Sequence, residues 1–227
     1  MVLVYFRSPP WFYGFDSLFE VIIIVTAFLI SWQSYKIFTM IQSRRHKYFS
    51  IAFFLIGFAY CFKIFSNILL YKSINISMHN LLITIISIAP RIEVIHFYSF
   101  FFSKLLTVFG FLLLFTIAVD VLKKAVVLVM MYLAFLAVTL SSLFGTTVYH
   151  TILVAFLFFI CWYYYNNHLR VKTKASYRTL LGFTFILIAQ LIFPIDYRMF
   201  YVAGEIAMII GFFILLYNQI KLIPKKR

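Results

Sequence analysis

Two lysines and two glutamates stand inside otherwise apolar stretches of this chain: Lys63 in "FSIAFFLIGFAYCFKIFSNILLY", Lys104 in "SFFFSKLLTVFGF", Glu20 in "FDSLFEVIIIV" and Glu205 in "YVAGEIAMII". An ammonium or carboxylate in such surroundings is costly to desolvate. It pairs with an opposite charge, reaches water, or faces a cavity that holds something polar. Helical spacing gives these charges polar companions. Asn67 follows Lys63 by four residues, Asp16 precedes Glu20 by four, and His96, Ser99, Ser103 and Thr107 make a stripe beside Lys104. Gln190 adds an amide on a later apolar segment. The expected site is an outward-facing polar pocket of Glu20, Lys63, Asn67, His96, Ser103, Lys104, Gln190 and Glu205. Two roles remain open for it. It binds a ligand or ion, or it fixes helix register through the pairs Lys63 with Glu20 and Lys104 with Glu205, with snorkelling of Lys104 as a further structural role.

The elements that must carry these groups are membrane helices. Of 227 residues, 65% are hydrophobic and 11% charged, and the mean hydropathy is +1.03, far from the composition of soluble domains. Crossing a hydrocarbon core of about 30 Å takes about 20 apolar residues. Seven stretches qualify, at about 15–38, 48–71, 96–119, 125–144, 147–166, 176–193 and 198–219. The fold class expected is therefore all-α, a single polytopic seven-helix bundle over residues 1–227. The fourth and fifth spans come from one apolar run that divides best at Gly145, Thr146 and Thr147. Residues 81–90, "LLITIISIAP", are too short to span and end at Pro90, which predicts a short interfacial or partly inserted segment. The N-terminal stretch "MVLVYFRSPPWFYGF" lacks the basic region and small-residue cleavage site of a signal peptide, so the first span is expected to be retained.

Loop charge predicts orientation. Lys36, Arg44, Arg45 and Lys47, then Lys123 and Lys124, then Arg170, Lys172, Lys174 and Arg178, then Lys221, Lys225, Lys226 and Arg227 all fall on one side; Arg7, Lys72, Arg91 and Arg198 fall on the other. By the positive-inside rule the basic side and the C-terminus are cytoplasmic and the N-terminus is outside. On that topology Lys63 lies about 22 Å in from the cytoplasmic start of its helix, in the outer half of the bilayer, with Glu20, Lys104 and Glu205 at comparable depth. The basic rim also accounts for the net charge of +14 without nucleic acid. The expected partners are the lipid bilayer and a protein partner or second copy, with the ligand unspecified. The cell membrane is the expected location and an organelle inner membrane the alternative.

Catalytic signatures fail one by one. There is no HExxH pair, no phosphate-cradling glycine loop and no GxSxG elbow. No cofactor or metal is expected, and Cys61 and Cys161 sit in apolar runs as small hydrophobes. Ala203, Ala207 and Gly211 suit close helix packing, the clusters "WFYGF" and "CWYYYNNH" suit aromatic belts, and His150 suits a local partner.

Three seven-helix comparisons miss. Retinal proteins carry a Schiff-base lysine that "MFYVAGEIAMIIGFFILLYNQI" lacks, the two-repeat sugar transporters use span prolines absent here, and hormone-receptor signatures at the inner helix ends are missing. By contrast, a first helix, the basic turn "SRRHKYFSIAFFLIGFAY", a second helix and then tight hairpins resemble the seven-helix sensor modules that precede some microbial kinases. The chain is also similar in length and layout to small uncharacterised archaeal membrane proteins. The resemblance implies sensing from outside, and since the sequence stops at "KLIPKKR", signalling through a partner protein. An accessory subunit of a larger membrane complex and a small-molecule transporter are the alternatives.

Overall fold

The computed structural model describes residues 15–79, 85–119, 124–144, 146–195 and 197–222, together with Pro9 and Phe12. These form seven α-helices: α1 (Phe15–Ile41), α2 (Arg44–His79), α3 (Ile85–Ala118), α4 (Lys124–Phe144), α5 (Thr146–Val171), α6 (Lys174–Ile192) and α7 (Arg198–Leu222). Among the described residues there is no strand.

Six of the helices are long and apolar enough to cross a membrane, α1, α2, α3, α5, α6 and α7, whereas the apolar stretch of α4, Val126–Ser142, is shorter. Side-chain placement agrees with a lipid surround. Trp32, Leu128, Tyr132, Leu133 and Trp162 are exposed, while Glu20, Glu205 and Lys104 are buried. That is the reverse of a soluble protein, where large apolar surfaces are covered and charges face water. The chain is an integral membrane protein by this distribution.

Two helices depart from the expected bounds. α2 runs for 36 residues, well past the span expected to end at 71. α3 begins at Ile85, so residues 85–90 are its first turns and no separate helix ends at Pro90; residues 81–84 lie outside the described residues. At the sixth position of α3 the proline forgoes the bond its amide would make to the Ile86 carbonyl, one lost bond in a helix of 34 residues, and the helix continues through it. The break in the long apolar run does fall where glycine and threonine predict it, between Phe144 and Thr146.

Side-chain pairs give the helix directions. Ser31 and Ser50 exchange hydrogen bonds, each Oγ donating to the other's carbonyl oxygen at 2.9 Å, and the earlier Glu20 accepts from the later Asn67, so α1 and α2 are antiparallel. Asn167 with Ser176 and His150 with Gln190 do the same for α5 and α6. Gly182 and Gly211 bring α6 and α7 into close approach: a Cβ on Gly211 would lie 2.8 Å from the Gly182 carbonyl oxygen. The small-residue stripe is thus partly used, with Ala207 buried and Ala203 exposed.

Two turns are built alike. Gln42 (φ 57°) and Lys172 (φ 49°) each take the left-handed conformation after a helix, and their amides bond back to Phe38 O at 2.7 Å and His168 O at 2.8 Å. This is the single-bond αL helix stop. Each is followed by a hydroxyl residue, Ser43 or Thr173, that receives the next helix: Thr173 Oγ1 accepts from Ser176 N at 3.3 Å, and Ser43 O accepts from His46 N at 3.1 Å. Both turns lie at the end of the bundle that carries Arg44, Arg45, Lys47, Arg170, Lys172 and Lys174, all exposed. Lys124 opens α4, and Lys123 lies outside the described residues.

Candidate functional site

α1, α2 and α7 meet at the other end, and their meeting point is charged. Lys63 Nζ on α2 lies 2.9 Å from Glu20 Oε1 on α1 and 3.2 Å from Glu205 Oε1 on α7. Both carboxylates are fully buried, whereas 25% of the lysine side chain remains accessible. Asn67, one turn along α2, donates Nδ2 to both Glu20 oxygens at 3.1 Å. Glu20 is therefore satisfied on both oxygens. Glu205 is not: its Oε2 is buried with no hydrogen-bond partner.

Helical geometry explains why one lysine serves two carboxylates. Lys63 and Asn67 are one turn apart on the same face, and α2 packs against α1 while α1 packs against α7. A lysine stem is long enough to reach a carboxylate on each neighbour. The Tyr60 ring, one turn before Lys63, lies 5.3 Å from the ammonium, adding a favourable aromatic face.

A second centre lies on α3, α5 and α6. Lys104 is buried, with its ammonium 4.5 Å from the Phe100 ring centroid and 5.6 Å from that of Tyr149. Beside Tyr149, His150 Nδ1–H donates to Gln190 Oε1 at 2.9 Å, and the His150 ring packs on Phe193. His150 thus finds its partner across helices. Between the two centres, Ser66 Oγ and His96 Nδ1 are hydrogen-bonded at 2.6 Å, tying α2 to α3. Ser103 is buried, and its carbonyl accepts from Thr107 Oγ1 at 2.8 Å.

The predicted set is therefore distributed. Glu20, Lys63, Asn67 and Glu205 form one connected cluster; Lys104 joins Phe100 and Tyr149, Gln190 joins His150, and His96 joins Ser66. The expected separate pairs give way to a shared one, since Glu205 meets Lys63. Tyr60 and Tyr149, absent from the expected set, line the two cations. An aromatic residue among thirty phenylalanines and sixteen tyrosines carries no positional signal of its own.

Chemically, the charged cluster presents an ammonium already spoken for by two carboxylates, one with an unused oxygen. That arrangement ties α1, α2 and α7 together through one ammonium. Among the described residues no group of three or more His, Cys, Asp or Glu is arranged to hold a metal ion. No family model, no curated protein and no solved structure matches the chain.

Proposed function

We propose that this chain is a seven-helix receptor-like module, N-terminus outside and C-terminus cytoplasmic, that reads a small polar ligand at the Lys63 end and acts through a partner protein at the basic end. The observation that carries this reading is the sharing of Lys63 between Glu20 and Glu205 while a quarter of its side chain stays accessible. A purely structural pair in the hydrocarbon region is best closed off completely. Here the side chain that clasps two helices is left partly uncovered, and a ligand that competes for its ammonium alters the contact between α1–α2 and α7. Ligand binding and helix arrangement are then the same event, and a ligand shifts the bundle only by its differential affinity for the two arrangements.

The experiment has two arms. Purified protein in lipid nanodiscs is screened by thermal shift against small anionic, cationic and zwitterionic compounds, with Lys63→Met in parallel. A ligand at one hundred times its Kd raises stability by about 2.7 kcal/mol. Stabilisation of the native chain that is lost in a folded Lys63→Met variant supports the reading. A bound compound that stabilises both alike overturns the assigned site.

A second reading is an accessory subunit of a larger complex. Of the six long apolar helices α5 is the least buried, with Phe158, Phe159, Trp162 and Tyr165 exposed along it. Isolation in mild detergent separates the two: a stoichiometric companion seated on α5 favours the subunit.

A further inference from the structure

The buried polar side chains at the basic end of the α1–α7 seam are not accounted for by the charged cluster. Glu20 and Glu205 mark one level of α1 and α7, because both touch the same lysine nitrogen. Fourteen residues further along each helix stand Ser34 and Gln219. Fourteen residues are about 21 Å and within about 40° of four whole turns, so both return to the same seam one level down. Ser34 is 0% exposed, Asn218 3% and Gln219 7%. Ser34 Oγ, Asn218 Oδ1 and Gln219 Oε1 are all buried without a hydrogen-bond partner.

These are unusual orphans for this molecule. Other buried hydroxyls find a partner on their own helix or the next: Thr26 Oγ1 donates to Ile22 O at 2.8 Å, Thr116 and Ser141 behave likewise, and Ser31 and Ser50 bond each other across α1 and α2. Ser34 does not. Asn218, about 100° round the helix from Gln219, faces α6 and not the seam, and its orientation is set by its neighbour there. Thr179 Oγ1 gives its proton to Ala175 O at 3.1 Å, so it can only accept from Asn218, whose Nδ2 donates to it at 2.8 Å. Oδ1 is thereby held as the free acceptor.

Between the two levels the seam is apolar. Ile23, Ala27 and Ile30 of α1, Phe53 of α2 and Met208 and Phe212 of α7 are each at most 1% exposed, and Phe53 and Phe212 meet edge to face at 5.9 Å.

We propose that Ser34 and Gln219 form a second, hydrated site at the basic end of this seam, and that the Phe53–Phe212 layer is a plug separating it from the charged cluster. The occupant follows from the chemistry. Orphan oxygens call for a hydrogen-bond donor, and the two within this site give a water the two partners it needs at least. The basic rim opposes a cation, and the oxygen lining opposes an anion. The seam is then a polar route from both ends, closed at one apolar layer. This inference is independent of whether the charged cluster takes a ligand.

The test uses the full chain in vesicles, with Cys61→Ala and Cys161→Ala as background. Ser34→Cys, Gln219→Cys and Ala27→Cys are each treated with a charged, membrane-impermeant methanethiosulfonate from either face, and modification is followed by mass spectrometry. From the face bearing Arg44 and Lys174, Ser34→Cys and Gln219→Cys react at least tenfold faster than Ala27→Cys. Adding Phe212→Ala raises the Ala27→Cys rate about tenfold. Equal rates at all three positions, in variants that keep the native thermal transition, overturn the hydrated site. Equal rates for Ser34→Cys from both faces overturn the plug.

Discussion

At one level two carboxylates come within 3.2 Å of a single ammonium nitrogen; about four turns along the same helices the buried groups are a hydroxyl and two amides, each with an oxygen left over. The two levels differ because ionised and neutral groups tolerate burial to different degrees. An uncompensated charge in hydrocarbon costs several kcal/mol, so the charged level has to be assembled nearly complete within the protein. A neutral amide or hydroxyl left unmade costs about 1–3 kcal/mol, a sum that water can recover wherever it reaches. Charge therefore demands a counter-charge at one end, which Lys63 supplies to both carboxylates, and neutrality tolerates unpaired acceptors at the other.

The largest expected effect breaks the charged level. Lys63→Met leaves Glu20 and Glu205 without their cation and is expected to destabilise the bundle by about 3–5 kcal/mol in nanodisc thermal melts. The triple variant Glu20→Gln, Lys63→Met, Glu205→Gln should recover most of that loss. A triple variant as unstable as the single one would show that packing by the lysine stem, and not its charge, holds the helices. Next, Asn67→Leu removes two donors to Glu20 and is expected to cost about 1.5–3 kcal/mol, the range for hydrogen bonds to a charged group.

The neutral level should respond less. Asn218→Ala removes its bond to Thr179 and is expected to cost about 1 kcal/mol in the same melts. Ser34→Ala removes a group with no partner to lose and should change stability by no more than about 0.5 kcal/mol in either direction. A Ser34→Ala loss comparable with that of Asn67→Leu would erase the contrast between the levels.

Helix positions were readable from apolar run length, and the α4–α5 break from Gly145 and its threonines, because desolvation acts on local sequence. The polar members of the charged level were readable too, since four ionised side chains stand out in apolar text. Their partners were not. Depth along a helix follows from counting, but which neighbours share a face depends on packing, and so the pairing of Glu205 with Lys63 instead of Lys104 had no sequence signal. Pro90 misled because a proline near a helix start and a proline at a helix end look alike in sequence. Ser34, Asn218 and Gln219 passed unnoticed for a different reason: hydroxyls and amides are common at helix surfaces, and only burial without a partner singles them out.

The close approach of Gly182 and Gly211 has a mechanical consequence. With no Cβ at either position, α6 and α7 approach until the Gly182 carbonyl lies against Gly211, and the Asn218–Thr179 bond joins them about two turns further along α7, so the pair is braced as one strut. α1 and α2 form a second strut, stitched by the reciprocal Ser31–Ser50 bonds and by Asn67 on Glu20. Of the two ion pairs at Lys63, the one to Glu20 lies within a strut and survives any sliding of the two. The one to Glu205 spans the joint, so it is the ion pair that any sliding of the two would have to break.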